Sequence, residues 1–303
     1  MFPLAGMEIS MSLTYQPGIL APLAPCGRSI SFSVKLESDP KPALLRLRRV
    51  FNPEWGVVGI GEPLARALGG EIAGLRVFPA LSGSPHAIPS DQHALWLFLR
   101  AENRGDIFDL SQKITGLLDS AFEVSDSVET FTYADSRDLT GYIDGTANPD
   151  AQKSIEVAIV PAEGGAPGSS FVAVQRWAHD LGHFHAHSQD QRDAMIGRRL
   201  DDNEEIADAP ESAHVKRTAQ ELFDPEAFMV RRSQPWASAE GQRLEFIAYG
   251  ASLDPFERML KRMAGIEDGL SDALFTFSRP VNGAYYWCPP LSDNRLDLSL
   301  LRL

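Results

Sequence analysis

The chain has 303 residues, 44% of them hydrophobic, which is enough for one large domain or two ordinary domains with real cores. Its formal net charge of −13 comes from 28 Lys and Arg against 41 Asp and Glu. Because phosphates are bound by basic surfaces, this balance argues against nucleic acid or an anionic membrane as a partner. We therefore expect a soluble protein that acts on a small molecule.

The two cysteines and the N-terminus indicate the compartment. Cys26 and Cys288 lie near opposite ends of the chain, so there is neither a disulfide framework nor a CxxC metal motif. We expect both to be small buried or half-buried hydrophobes. Residues 1–8 lack a basic region, and no apolar run approaches the roughly 20 residues of a membrane span. The sequence predicts a cytoplasmic protein.

Apolar periodicity predicts the elements of the first half. Alternation of apolar and polar residues indicates half-buried strands, and apolar residues spaced by three and four indicate helices. Residues 79–92, which contain three prolines and one glycine, are predicted to be loop. Apart from a helical turn at 64–68, the predicted order is β-α-β-β-α-β, at residues 30–36, 44–51, 55–60, 94–99, 107–122 and 124–133.

The second half repeats this order. Its predicted strands and helices are residues 171–177, 189–199, 227–236, 244–250, 255–263 and 283–287. Two successive units of this kind predict an α+β fold made of two ferredoxin-like halves packed together. We place the N-terminal half at 13–150 and the C-terminal half at 151–303, with a linker around the glycine-rich residues 164–168.

A carboxylate lies on a glycine-bracketed bend just before that linker. Gly141 and Gly145 flank Asp144, within a segment that runs from Tyr133 to Pro149. Glycine allows the backbone to turn tightly or to approach a ligand closely. Asp-Gly and Asn-Pro pairs are also common in surface turns, so the segment alone permits either a site or a polar turn.

The segment resembles the GxxDG signature of the dye-decolorising peroxidases, a family of haem enzymes. It matches the longer bacterial pattern as Arg137-Asp-Leu-Thr-Gly-Tyr-Ile-Asp-Gly-Thr146 followed by Asn148-Pro149. The resemblance spans almost the whole chain. Five further stretches carry it, in the expected order: residues 16–18, 101–102, 171–180, 196–198 and 214–217.

The resemblance implies an activity and a cofactor. It implies two ferredoxin-like halves, with haem b held mainly by the second. The expected enzyme reduces hydrogen peroxide and oxidises dyes, phenols and similar organic donors by one-electron steps. Donors too large for a peroxide pocket would be oxidised through surface Trp or Tyr residues, although burial in the core is the simpler expectation for those aromatics.

The resemblance also implies residues that hold haem. His214 matches the axial ligand, and a neutral imidazole suits haem iron. Asp272 would accept the other imidazole N–H and fix the orientation of the ring. From the residues alone, Asp272 could equally be a helix N-cap or a surface charge. Arg198 would pair with a propionate, but the neighbouring Arg199 could serve instead.

Asp144 and Arg231 are the implied catalytic residues on the open side of the haem. Asp144 would move a proton between the two oxygens of peroxide, and Arg231 would stabilise the negative charge that develops. Arg232 remains possible in place of Arg231, and Ser233 stands where the family often has asparagine. Burial would raise the pKa of Asp144 and a nearby arginine would lower it, so the sequence does not give the net direction.

Two alternative functions are kept. His183, His185 and His187 would point to one face of a strand and could bind a non-haem metal there. Their sequence context is instead typical of a solvated loop that leads into a helix. The other alternative is a haem-handling protein of the same fold whose peroxidase activity is incidental.

The expected partners are hydrogen peroxide and small organic electron donors, and we expect a homo-oligomer. Some relatives are encapsulated through a C-terminal targeting tail. The C-terminal residues 296–303 are short and apolar enough to be structural, so we do not predict encapsulation.

Overall fold

The computed structural model describes residues 14–239 and 241–303. Residue 13, the predicted start of the N-terminal half, and residues 1–8, used above to judge the compartment, lie outside the described residues. Among the described residues, no helix combines the length and apolar character that crossing a bilayer requires.

The elements before residue 150 follow the predicted order closely. The described part of the chain there contains β1 (Cys26–Val34), α1 (Lys41–Val50), β2 (Gly56–Ile60), α2 (Glu62–Ala67), β3 (Leu95–Ala101), α3 (Arg104–Leu118) and β4 (Phe122–Phe131). Their antiparallel order across the sheet is β4-β1-β3-β2. Residues 79–92 contain no helix or strand, as predicted.

The elements after residue 150 form the same pattern with additions. They are α4 (Ala151–Ala158), β5 (Ser170–His179), α5 (Leu181–His185), α6 (Gln189–Ile196), α7 (His214–Arg217), β6 (Val230–Arg231), β7 (Gln234–Ser238), β8 (Gly241–Gly250), α8 (Asp254–Met263), β9 (Ser278–Pro280), β10 (Ala284–Cys288), β11 (Leu291–Ser292) and β12 (Arg295–Leu296). The principal strands lie in the order β10-β5-β8-β6, which repeats the order of the first four.

The predicted strand 227–236 is divided in two. β6 and β7 keep one register against β8, with Arg231 opposite Ala248 and Gln234 opposite Glu245. The ladder is interrupted between them because the Ile247 N–H donates to the Ser233 hydroxyl, at 3.4 Å, instead of to a backbone carbonyl. The prediction was therefore wrong about continuity and right about the path of the chain.

One sheet joins both sets of strands into a nearly closed barrel, which confirms the predicted fold class. β2 pairs with β10, with Ile60 opposite Trp287. At the other side, the Thr130 hydroxyl of β4 donates to the Gln234 amide oxygen of β7 at 2.9 Å. The exact division at 150/151 stays a prediction.

Alternation along the strands separates two apolar clusters. On β5, Val172 and Val174 face a cluster drawn from strands all around the sheet, which is the barrel interior. Phe171 and Ala173 face the other side, where α1, α3 and α8 pack. Leu301, near the C-terminus, is buried in this outer cluster, as the predicted structural role of the tail requires.

The two cysteines behave as predicted. Cys288 is buried, Cys26 is half-buried, and neither forms a disulfide. Burial raises the pKa of the Cys288 thiol well above its ordinary value, so this side chain stays neutral.

Candidate active site

The Asp144 bend is formed by local backbone geometry. Arg137 and Ile143 form an antiparallel bridge, so the chain doubles back on itself before Asp144. Gly141 and Gly145 have φ angles of 94° and 77°, a region that favours glycine. The Gly145 N–H donates to the Asp144 carboxylate at 2.6 Å. The glycines are therefore needed for the bend, and the bend fixes the carboxylate.

Two amides fasten this bend to the edge strand. The Asn148 side chain accepts from the Arg231 N–H at 2.8 Å and donates to the Arg231 carbonyl at 3.1 Å. The Gln220 amide donates to the Ala147 carbonyl at 2.6 Å and accepts from the Met229 N–H, just before β6, at 3.0 Å. The segment that carries Asp144 and the strand that carries Arg231 are thereby held together.

A cavity opens between the outer face of the sheet and α8. Phe246 of β8 and Met259 of α8 are among the apolar side chains that line it. Asp144, His214 and Arg231 also line it, so the structure brings together three of the five predicted site residues.

A second, more polar chamber adjoins the first. Asp144, His214 and Arg231 line both chambers, so the apolar chamber and the polar chamber meet at these three side chains. Arg198 lines the polar end. Its guanidinium donates to the Asn203 carbonyl at 3.0 Å and to Glu205 at 3.2 Å.

His214 begins the short helix α7, and its ring is anchored from behind. Its Nδ1 lies 2.8 Å from Asp272 Oδ2, and the Asp272 side chain is fully buried. The other Asp272 oxygen accepts from the Leu274 N–H at 2.8 Å and so caps a short 3₁₀ turn. Because Nδ1 is engaged, Nε2 is the ring nitrogen that remains for a ligand.

The structure separates Arg231 from Arg232. Arg231 lines the cavity, and its Nε is buried without a hydrogen-bond partner in the described part of the chain. Arg232 faces away and donates to three backbone carbonyls, those of Leu20, Ala21 and Arg231, each at 2.9 Å. Arg231 is thus the arginine beside Asp144, whereas Arg232 ties the edge strand to residues 20–21.

Arg198 and Arg199 are separated in the same way. Arg199 forms exposed ion pairs with Asp202 and Glu204 and lines neither chamber. Of the two arginines, Arg198 is the one that lines the polar chamber.

Burial and neighbouring charges act in opposite directions on Asp144. Burial has the largest effect and raises the pKa of Asp144, and the negative charge of Asp138 raises it further. Arg231, the Gly145 N–H and His214 lower it. The net result is a pKa above the ordinary value of an aspartate. The direction that the sequence left open is therefore decided by burial.

The His183–His187 run does not form a strand. His183 and His185 lie on α5, and the His187 Nδ1 is 3.0 Å from the His183 carbonyl. The His185 Nδ1 is 2.9 Å from an Arg192 nitrogen. Among the described residues, no group of three or more His, Cys, Asp or Glu side chains is arranged to hold a metal ion. The geometry on which the metal alternative depended is not formed.

Sequence reasoning did not assign several residues of the cavity wall. Asp138 and His179 lie against each other there, with Asp138 Oδ2 3.3 Å from His179 Nε2. Tyr142 also lines it, and its hydroxyl donates to Asp193 of α6. The GxxDG segment and the stretch 171–180 contain three of these residues. Their side-chain partners, however, come from distant parts of the sequence.

The tryptophans are mainly core residues, as expected from the sequence. Trp96, Trp177, Trp236 and Trp287 are all buried, and Trp55 is half-buried. Trp177 lines the cavity, with its indole N–H donating to Gln175 at 3.0 Å.

Known proteins resemble this chain in sequence and in fold. Residues 135–293 match the family model described as Dyp-type peroxidase, C-terminal. A dye-decolorizing peroxidase of Mycolicibacterium paratuberculosis is 32% identical over 296 residues, covering 95% of this chain and 81% of that protein. One from Brevibacterium linens is 32% identical over 232 residues, covering 74% of this chain but 63% of the relative, slightly less than two thirds. A variant of DypB from Rhodococcus jostii RHA1 in complex with heme superposes with a TM-score of 0.83 at 26% identity, covering 90% of this chain and 95% of that one.

The fold, the cavity and these matches together define an enzyme of the haem peroxidase class. Within that class, the chain belongs to the dye-decolorising peroxidase family.

Proposed function

We propose that this protein binds haem b in the cavity, reduces hydrogen peroxide there, and oxidises dyes, phenols and similar donors by one-electron steps. One observation carries the proposal. His214, with its Nδ1 held by a buried carboxylate, lines the same apolar cavity as Asp144 and as an arginine whose Nε has no partner in the described chain.

The residues present fit a haem group. A macrocycle with two carboxylates needs apolar walls, a polar end and an iron ligand, and the two chambers offer all three. His214 would bind the iron through Nε2, and Asp272 would make that nitrogen more electron-rich. Arg198 at the polar end would pair with a propionate. The relative solved in complex with heme lends further support.

When bound, haem supplies the iron at which peroxide is reduced and the oxidising equivalents that donors consume. The protein supplies the proton chemistry. Ionised Asp144 would take the proton from one peroxide oxygen and return it to the other, which leaves as water. Arg231 would stabilise the negative charge that builds up as the O–O bond breaks, and its guanidinium is already positioned in the cavity wall.

We also propose a division of the chain into two halves, an oligomeric state and a compartment. The N-terminal half at 13–150 would supply Asp144, and the C-terminal half at 151–303 would supply His214 and Arg231. We further propose a homo-oligomer that works in the cytoplasm. The two free cysteines suit a reducing compartment. We still do not propose encapsulation.

The test is spectroscopic first and kinetic second. The purified protein should show a ferric-haem Soret band that changes when peroxide is added, and it should then oxidise a dye or a phenol repeatedly. His214→Ala should lose or greatly weaken haem binding, because it removes the one protein–iron bond proposed. A haem spectrum and turnover unchanged in His214→Ala would show that the axial assignment is wrong. Haem binding without turnover in the parent protein would favour the haem-handling alternative.

A further inference from the structure

A second carboxylate lies in the cavity wall near Asp144. Asp138 occupies the first part of the same bend, and its carboxylate accepts from the Thr140 N–H at 2.9 Å. Its backbone is also committed, because the Asp138 N–H donates to the Tyr142 carbonyl at 2.9 Å and the Gly141 N–H donates to the Asp138 carbonyl at 2.9 Å. The position of this carboxylate is therefore fixed relative to Asp144.

A buried histidine faces the other oxygen of Asp138. His179, the last residue of β5, is almost fully buried, with Nδ1 2.8 Å from the Ser278 hydroxyl and Nε2 3.3 Å from Asp138 Oδ2. In the described chain, neither His179 Nε2 nor Asp138 Oδ2 has a hydrogen-bond partner, so this contact at 3.3 Å is the polar contact that each atom makes. The two groups therefore depend on each other, and the sheet fixes the histidine.

This arrangement keeps Asp138 ionised. Burial acts to raise the pKa of Asp138, but the close contact with the His179 ring, together with the Thr140 N–H, holds this pKa below its ordinary value. An ionised Asp138 then raises the pKa of Asp144, in opposition to Arg231. His179 reaches Asp144 only through Asp138 in this scheme, since its polar partners are Asp138 and Ser278.

The other charged groups around Asp144 come from three directions. Arg231 approaches from β6 and His214 from α7, and both lower the pKa of Asp144. On its own segment, the Arg137 guanidinium is bound to the Gly141 carbonyl. Arg198, Glu205 and Glu221 line the polar chamber beyond His214. Asp138 is the one carboxylate among the groups that act most strongly on Asp144.

We propose that Asp138, held by His179, is a positioning residue for the peroxide reaction, and that it raises the pH below which Asp144 can no longer accept a proton. The inference rests on the proposed function, because it assigns Asp144 as the proton acceptor. Asp138 does not need to contact peroxide. It acts on Asp144 through its fixed negative charge, while Arg231 acts in the opposite sense.

The sign of the effect follows from this opposition. Asp138→Asn removes a like charge and nearly preserves the shape of the side chain, so Asp144 should ionise more easily and stay basic at lower pH. In His179→Gln, burial is no longer opposed by an imidazole, so Asp138 becomes protonated more readily in acid. His179→Gln should therefore shift Asp144 in the same direction. The double variant should shift no further than Asp138→Asn alone, because His179 acts through Asp138.

Cyanide binding to the holoenzyme tests this without turnover of any donor. Hydrogen cyanide must lose its proton to bind as an anion, so the pH dependence of the association rate, followed by absorbance, reports the cavity base. In the parent protein the association rate of cyanide should decrease as the pH falls, because Asp144 becomes protonated. Asp144→Asn should abolish this decrease. Asp138→Asn and His179→Gln should each move the midpoint of this decrease to lower pH. Asp119→Asn, which removes an exposed surface carboxylate paired with Lys35, should leave the midpoint unchanged.

The outcomes are distinguishable. A rate lowered equally at every pH in Asp138→Asn, with the parental midpoint, would mean that Asp138 only supports the loop, and the inference would fail. A midpoint moved to higher pH would also overturn it. If Asp138→Asn does not fold, an unmoved midpoint in His179→Gln decides against the inference by itself. A protein with no Soret band and no spectral response to cyanide would overturn the proposed function, and the inference with it.

Discussion

Asp272 binds two partners at once: one oxygen accepts from the His214 ring at 2.8 Å and the other caps a 3₁₀ turn through the Leu274 N–H. The sequence had offered these as competing roles. Because a carboxylate has two oxygens, both roles hold together, and the cap fixes the orientation in which the carboxylate meets the imidazole.

This arrangement predicts the effect of Asp272→Asn. The variant should keep the turn, since an amide oxygen can still accept from Leu274, but it should weaken the polarisation of His214. We expect haem to remain bound with a changed ferrous-haem resonance Raman spectrum in the iron–histidine region and a higher reduction potential. Asp272→Ala should lose the cap as well and lower the melting temperature. An unchanged potential in Asp272→Asn would show that Asp272 only caps the turn.

Arg231 and Arg232 should separate catalysis from stability. Arg231→Leu should slow the reaction with peroxide by about 10²- to 10³-fold, the usual cost of removing one donor that stabilises developing charge. Arg232→Leu should cost about 1–3 kcal/mol of stability, because three backbone carbonyls lose their donor, and should leave the peroxide step near the parental rate. Stopped-flow rates and thermal unfolding of both variants check this. The reverse pattern would assign the catalytic role to Arg232.

The pH dependence should follow the raised pKa of Asp144. A carboxyl group whose pKa is raised loses its basic form at a higher pH than a free aspartate, for which the reference value is about 3.9. The peroxide step should therefore slow in acid from above that value. Arg231→Leu removes a charge that lowers this pKa. The decrease of the peroxide rate in acid (the acid limb of the pH profile) should therefore move to higher pH, and the maximal rate should also be lower. Arg231→Lys, which keeps the charge, should keep the limb near its parental position. A limb that does not respond to Arg231→Leu would contradict the pairing of Arg231 with Asp144.

Asn148 should contribute both to stability and to the rate of the peroxide step, although it lies in a turn. Asn148→Ala removes both side-chain bonds to the Arg231 backbone and should cost about 1–3 kcal/mol while also slowing the peroxide step. Asn103→Ala is a matched control, since Asn103 caps α3 far along the chain from the cavity segment. It should cost about 1 kcal/mol and leave the rate unchanged. Equal peroxide rates in the two variants would show that Arg231 does not depend on this clamp.

The triple replacement of His183, His185 and His187 by Gln should retain haem and peroxidase turnover. Their side-chain hydrogen bonds are with a backbone carbonyl and with Arg192, and none of the three lines the cavity. Metal analysis and activity of the parent and the triple variant check this. A stoichiometric non-haem metal that disappears together with activity would overturn it.

Local patterns in the sequence were sufficient for much of the architecture. Alternation and helical spacing located the main strands and helices, because these periodicities reflect which face of each element is buried. They missed α4, α5 and α7, which are short, and they missed the break between β6 and β7. That break depends on the Ser233 hydroxyl meeting the Ile247 N–H fourteen residues away, a contact with no periodic signature.

The sequence by itself determined the bend at Asp144, because Gly141 and Gly145 can adopt the positive φ angles that it requires, and it singled out His214 through family resemblance. Only the tertiary structure decided that Arg231 and not Arg232 lines the cavity and that Asp138 and His179 meet beside Asp144. It also decided that burial outweighs Arg231 in setting the pKa of Asp144. The physical reason is common to all three. Each depends on which distant side chains share a low-dielectric space, and adjacency along the chain does not encode that.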